Sequence, residues 1–412
     1  MGGLLLTVAA RPICAQPSFT GIGTLDGVGS SLVEYVSSDG AVVVGKSNVT
    51  AWYPYEVVSW SRKDGMVSLT PGVYSSDPGG SNGTGSVLAG NYIHAQQRTT
   101  EAFWWTPDRG AVAMGDLPGG DFFSAVRGVS ARGDILVGYS SSERSTEGHV
   151  EGFIWTEETG MVDLGDLPDY AIDSGARCVS VDGRVIAGGM VFDQGNEAIR
   201  WTEEDGMVRL GDFPGGNHSS GSVAISADGS VIVGNGFDAD GQRAFRWTEE
   251  TGMVALPKVH PNQFVQRAYG ASWDGNVIVG EAAASGGGGA GPFYWTAKDG
   301  IRWLADVFDE HGVIVPDGWV ELVPRAVSAD GRTIVGYGVN PQGNTEGFVA
   351  YLGPTCRADF DDNGTVDAED VAAYISAWLE SNIFADWNYD GFINTKDFLT
   401  FLNEWNAKPG CE

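Results

Sequence analysis

Two acidic stretches near the C-terminus carry the chemistry most easily read from the chain. Residues 359–370 read DFDDNGTVDAED and residues 386–397 read DWNYDGFINTKD. Each sets oxygen-bearing side chains at positions 1, 3, 5, 9 and 12 of a twelve-residue loop, with glycine at 6. In the first these are Asp359, Asp361, Asn363, Asp367 and Asp370; in the second, Asp386, Asn388, Asp390, Asn394 and Asp397. Position 7, Thr365 or Phe392, offers a backbone carbonyl. This spacing wraps hard oxygen ligands around calcium, because glycine permits the sharp bend that brings the donors together. Magnesium demands a tighter octahedral site, so the sequence predicts two calcium ions as the cofactors. Position 12 is Asp instead of the usual Glu, so each following helix must approach its ion by about one methylene more closely.

Elsewhere the reactive residue types lack the spacing that chemistry needs. GGSNG at 79–83 matches G-x-S-x-G but lies in a glycine-rich stretch without the strand-to-helix elbow that exposes a nucleophile. GGGGAG at 286–291 is followed by a strand-like PFYWT, not by the helix whose N-terminus would bind pyrophosphate. Five histidines are scattered without zinc spacing. No catalytic residue is assigned, and the balance falls against an enzyme.

The acidic loops must be held by the elements that follow them. Too few residues separate Gly353 from Asp359 for a preceding helix, so each unit reads as loop then helix. Val371, Tyr374, Ile375 and Trp378, and then Phe398, Phe401, Leu402 and Trp405, recur at i, i+3, i+4 and i+7. That periodicity gives two amphipathic helices whose apolar stripes can face one another. Residues 354–412 thus form a small all-α unit, with twelve acidic against three basic side chains.

Residues 16–353 are organised differently. A turn glycine followed five residues later by another occurs at Gly40, Gly85, Gly133, Gly183, Gly229, Gly275 and Gly331, and a tryptophan follows in six copies: Trp60, Trp105, Trp155, Trp201, Trp247 and Trp295. Each copy divides into four short apolar runs, a to d, separated by glycine or acidic turn signals, which is strand spacing. A four-stranded unit of about 45 residues, repeated, is the signature of a propeller blade, so the fold class is all-β with seven blades. The seventh copy lacks its d run, and the chain begins with an orphan d-like TGIGTLDG. Residues 19–25 are therefore expected to pair near Phe348–Tyr351 and close the ring, removing exposed sheet edges. The tryptophans read as packing between blades. Short turns fall on one face and long, varied connections on the other, where binding residues tend to lie. Trp52, Tyr53, Tyr55, Phe122, Phe123, His260 and His311 are the candidate ligand face.

The SADG, VIVG, AFRWT and GMxxLGxLPGG sequences of these copies resemble the extracellular HAF-repeat family, over nearly all of residues 19–353. That resemblance implies secretion and a β-rich array, and no established chemistry. The C-terminal unit, with Cys356, Gly410 and Cys411 around its two loops, resembles a dockerin of the kind that ends in Gly-Cys. The resemblance implies a Cys356–Cys411 clasp and calcium-dependent anchoring to a cohesin-type receptor. The residues that commonly carry Ser-Thr in cellulosomal dockerins are Ala368-Glu369 and Thr395-Lys396, which leaves the receptor type open.

Composition bounds the rest. Glycine makes up 61 of 412 residues, about twice the usual share of roughly 7%, as a turn-rich chain requires. A net charge of −30 would repel phosphate backbones and anionic lipid surfaces, so nucleic acid is excluded as a partner. No apolar run approaches the roughly 18 residues that span a bilayer, so no membrane insertion is expected. Residues 1–15, ending at Ala15, read as the apolar part and cleavage site of a signal peptide, giving a secreted or cell-surface protein. The expectation is a monomeric, non-enzymatic binding propeller for a polysaccharide or protein ligand. The alternative is a glycoside hydrolase or polysaccharide lyase with an axial active site.

Overall fold

Repetition begins at the turns. In Ser226–Ala227–Asp228–Gly229 the Ser226 hydroxyl donates to the Asp228 carboxylate at 2.7 Å and accepts from the Val231 N–H at 2.9 Å, while Asp228 also accepts from the Ser230 N–H at 3.0 Å. Gly229 closes the turn at φ +74°, a conformation open to glycine at little cost. The same Ser–Asp pairing recurs at Ser37 and Asp39, Ser180 and Asp182, Ser272 and Asp274, and Ser328 and Asp330. These side chains satisfy turn donors that would otherwise be orphaned, and so fix the a-to-b hairpin of five copies.

The computed structural model describes residues 16–407 except 28, 49–54, 73–74, 95–98, 144–148, 166–170, 285–289, 355 and 362. Each of the first six copies forms four antiparallel strands in sequence order, as in Ser220–Ile225, Val231–Asp238, Gly241–Thr248 and Gly252–Ala255 of the fifth. The seventh supplies Val320–Val327, Thr333–Val339 and Thr345–Tyr351, and its fourth strand is Ser18–Gly21 from the start of the chain. Ser18 lies opposite Tyr351 and Gly21 opposite Phe348. The pairing is shorter than the expected 19–25: the Ile22 N–H still donates to the Gly347 carbonyl at 3.0 Å, and then Gly23, at φ +72°, turns the chain away.

Packing between copies follows from the repeated aromatics. Apolar clusters sit between successive sheets: Leu69, Leu88, Phe103 and Trp105 between the first two, and Ala187, Phe213, Phe245 and Trp247 between the fourth and fifth. Ile22, Val33, Trp60, Val335 and Val349 join the seventh copy to the first. The repeat tryptophans are thus packing residues; Trp201 also donates its indole N–H to the Leu164 carbonyl of the preceding copy at 2.7 Å. Sheets are further stapled by a serine six residues before the turn serine. Ser124 accepts from the Ala102 N–H, Ser174 from Gly152 and Ser220 from Ala198, each reaching into the preceding sheet. Ser31 does the same toward Gly347, again linking the seventh copy to the first.

At the short-turn end the turns hydrogen-bond to one another. Val181 donates to Ala227, Ala227 to Trp273, Trp273 to Ala329 and Ala329 to Ser38, followed by Asp39 to Gly83 and Gly83 to Ala131. Backbone groups that a hairpin tip would leave to solvent are satisfied in this way by the neighbouring copy.

One connection departs from the sequence reading. The long segment after the sixth copy contains helix α1, Leu304–His311, with Leu304, Val307 and Phe308 buried and Gly312 as its left-handed C-cap. These three share a cluster with Phe348 and Ala350, the residue that stands where other copies have tryptophan. Beyond Gly353, helices α2, Ala368–Leu379, and α3, Thr395–Ala407, each follow an acidic loop, as expected. No helix among the described residues is long and apolar enough to cross a membrane.

Candidate functional site

The first acidic loop is organised before any ligand is considered. Asp359 accepts from the N–H groups of Asn363 and Gly364 at 3.0 and 2.9 Å, and Asp361 and Asn363 accept from residues two further on. Asp370, fully buried, accepts from the Phe360 N–H at 2.7 Å with one oxygen and from the Asp367 N–H at 2.8 Å with the other. The second contact is half of a capping box in which Asp367 is the N-cap of α2, so loop and helix specify each other. Carboxylate oxygens of Asp359, Asp361 and Asp370 all lie within 4.8 Å of one another, close enough to hold one metal ion. Asp367 and Thr365 stand beside them, joined through the threonine hydroxyl at 3.3 Å.

The second loop repeats this pattern. Asp386 accepts from Asp390 and Gly391 at 3.2 and 2.6 Å, Asn388 from Asp390 at 2.9 Å and Asp390 from Phe392 at 2.9 Å. Asp397 accepts from Asn388 and Asn394 at 3.1 and 2.8 Å. Asp386 is 1% exposed and Asp397 fully buried. Burial pushes the Asp386 carboxyl up to about 7, against the Gly391 hydrogen bond and with Asp397 and Asp390 adding to the rise. Among the described residues only the first loop draws three carboxylates within 4.8 Å. The donor set in both is all oxygen, and Gly364 and Gly391 take the left-handed bend at φ +88° and +85°.

The helices position these loops through a core that the sequence shows only in part. Tyr374 and Phe401 stack at 4.0 Å between ring centres, with Val371, Trp378, Phe398, Leu402 and Trp405 around them. Ile375, expected in the stripe, is outside this cluster. Phe360 and Trp387, each at position 2 of its loop, complete the core instead. A repeat-to-repeat comparison reveals them, because the same aromatic position recurs in both loops. Cys356 is disulfide-bonded; Cys411, its expected partner, lies outside the described residues.

An unforeseen feature is where the second loop sits. Its Gly391 carbonyl accepts from Arg132 Nε at 2.8 Å, and the Arg132 guanidinium lies 5.1 Å from the Phe392 ring centre. Tyr389 packs edge-on against Trp273 at 4.9 Å, and its backbone carbonyl presses so closely on Gly83 that a Cβ there would lie 2.0 Å from it. The second acidic loop therefore rests on the ring of short turns.

The candidate ligand-face residues are dispersed. Trp52 and Tyr53 lie outside the described residues. Tyr55 opens a strand near Ser30 and Lys46; Phe122 is exposed beside His94; Phe123 stacks on Tyr139 at 6.0 Å. His260 accepts from the Asn262 N–H, and His311 ends α1, where burial and then Arg332 hold its imidazole below the ordinary value. Cys178 is a free thiol pushed up to about 12 by burial.

No family model and no curated protein matches the sequence. Solved structures do. An oligogalacturonate lyase from Vibrio parahaemolyticus is similar with a TM-score of 0.51 at 10% identity, over 83% of this chain and 98% of that one. An oligogalacturonate lyase in complex with manganese gives 0.50 at 10%, over 84% and 98%. TolB from Acinetobacter baumannii gives 0.44 at 12%, over 76% of this chain and only 64% of its own length. At such identities the likeness is one of fold alone. Together with the succession of four-stranded sheets, it makes the main part of this chain a β-propeller.

Proposed function

We propose that the protein is a secreted, non-enzymatic binding propeller of seven blades, closed by its N-terminal strand and anchored through a calcium-ordered, dockerin-like C-terminal module. The observation that carries the anchoring half is the pair of loops that buried Asp370 and Asp397 tie to the first turns of their helices, with buried Asp386 bonded inside the second loop. Carboxylates buried this close repel one another unless a cation lies between them. Asp359, Asp361, Asn363, Asp367, Asp370 and the Thr365 carbonyl would hold one calcium ion, and Asp386, Asn388, Asp390, Asn394, Asp397 and the Phe392 carbonyl the other. Calcium supplies the charge that cancels this repulsion and so favours the ordered loop-helix pair. The outer helix surface, with Leu379 and Leu399 exposed, is the face left for a cohesin-type receptor.

The test is capture of the full chain on an immobilised cohesin panel. Capture is expected in calcium, to be lost in excess chelator, and to be lost in Asp359→Ala/Asp386→Ala with the propeller still folded by circular dichroism. Capture that persists in chelator, or none by any cohesin, would count against the anchoring role.

A further inference from the structure

The innermost strand of every copy is broken by a register shift at the same place. The residue set into this bulge is Gly79 in the second copy and Glu34, Arg127, Arg177, Val223, Tyr269 and Arg325 in the others. A bulge leaves its extra residue unpaired and re-aims the side chain. Here six of the seven bulged residues line one cavity of about 450 Å³, walled by the innermost strands of all seven copies and so lying on the axis.

Charge in this cavity runs against that of the whole molecule. The chain has 24 basic and 54 acidic side chains, yet three guanidiniums from three separate sheets line this cavity against a single carboxylate, Glu34. Lys46 already flanks Glu34 at 3.8 Å, and pairs with Asp77 at 2.6 Å. Arg127 donates to the Tyr139 hydroxyl at 2.7 Å, and the Arg325 guanidinium carbon lies over the Tyr269 ring at 4.5 Å. A stacked guanidinium keeps its N–H edge free for a planar anion. Arg177 makes no side-chain hydrogen bond or ion pair among the described residues. Between Arg177 of the fourth copy and Arg325 of the seventh, the lining includes the apolar Val223, Ile225 and Trp273 of the fifth and sixth. A bare inorganic ion would leave that apolar lining unused, whereas a carbon skeleton bearing carboxylate would use both. At the short-turn end Tyr389 packs edge-on against Trp273, one of the lining residues.

We propose that the axial channel binds an organic carboxylate, gripped by Arg177 and Arg325 with Arg127 beside them. The proposal rests on reading the propeller as a binding module, and receptor capture by the C-terminal module is a separate readout.

The full chain, saturated with calcium, is titrated calorimetrically at low ionic strength with succinate, trigalacturonate, sulfate and neutral maltotriose. Saturable binding of at least one of the two carboxylates is expected, weakening as sodium chloride is added. Preference between succinate and trigalacturonate tells a free acid from an acidic sugar. Arg177→Gln/Arg325→Gln should weaken it by about tenfold or more per guanidinium lost, as charge-assisted hydrogen bonds warrant. Arg177→Lys keeps the charge without the planar fork and should fall between, which serves if the double variant does not fold. No saturable carboxylate binding, equal binding of maltotriose, preference for sulfate, or unchanged affinity in a folded double variant would each overturn the site. Receptor capture is measured on the same samples: intact capture without carboxylate binding removes the channel site alone.

Discussion

At the scale of single residues, two devices recur: an aromatic that fills the space between sheets and a small polar side chain that satisfies backbone at a turn. Trp201 shows the first. Its ring joins Val137, Leu164, Ala176 and Ile186 across two copies, and its N–H caps the Leu164 carbonyl. Trp201→Ala removes that volume and orphans the carbonyl, so it should destabilise the propeller by about 3 to 5 kcal/mol, read as a lower midpoint in chemical unfolding. A midpoint within error of the parent would mean that the indole is not a packing residue. The tryptophans and the Ser–Asp turns were legible because chemistry and period coincide in the sequence. The bulged residues were not. Glu34, Gly79, Arg127, Arg177, Val223, Tyr269 and Arg325 share a register but not one side-chain type, and only the strand pairing shows that they occupy the same bulge position.

Among the elements, the strand Ser18–Gly21 carries the largest consequence for its length. It pairs with Thr345–Tyr351, and Phe19 stacks on Phe348 at 5.1 Å and meets Trp319 edge-on at the same distance. Without it the strand Thr345–Tyr351 becomes an open edge with unpaired backbone groups, a template for association between chains. Removing residues through Gly21 should lower the thermal transition sharply or produce aggregates in light scattering; an unchanged transition would rule out closure by this strand. Its pairing was readable as a missing d run at one end of the repeat and an orphan at the other. Helix α1 was hidden because its apolar residues span a single turn, Leu304, Val307 and Phe308, inside a stretch that otherwise looks like a connection. His311 accordingly ends a helix instead of standing on a loop.

For the whole molecule, the two parts meet through the second acidic loop. Arg132, Gly83 and Trp273 of the propeller touch Gly391, Phe392 and Tyr389, so the loop proposed to hold calcium sits on the short turns of the propeller. No sequence pattern announces this, since the contacts join residues 250 or more positions apart in one pairing and are made largely by backbone in another. The arrangement leaves helices α2 and α3 to present their outer surfaces, and calcium, if bound as proposed, would have two structural tasks: ordering the module and shaping the loop that meets the short turns. Both loops are proposed to take the metal. Isothermal titration of the full chain with calcium, followed by the same titration of Asp359→Ala/Asp386→Ala, measures it directly. Uptake of two calcium ions by the parent and none by the double variant is the predicted result. No calcium uptake by the parent, or two ions still bound by the folded variant, would contradict it.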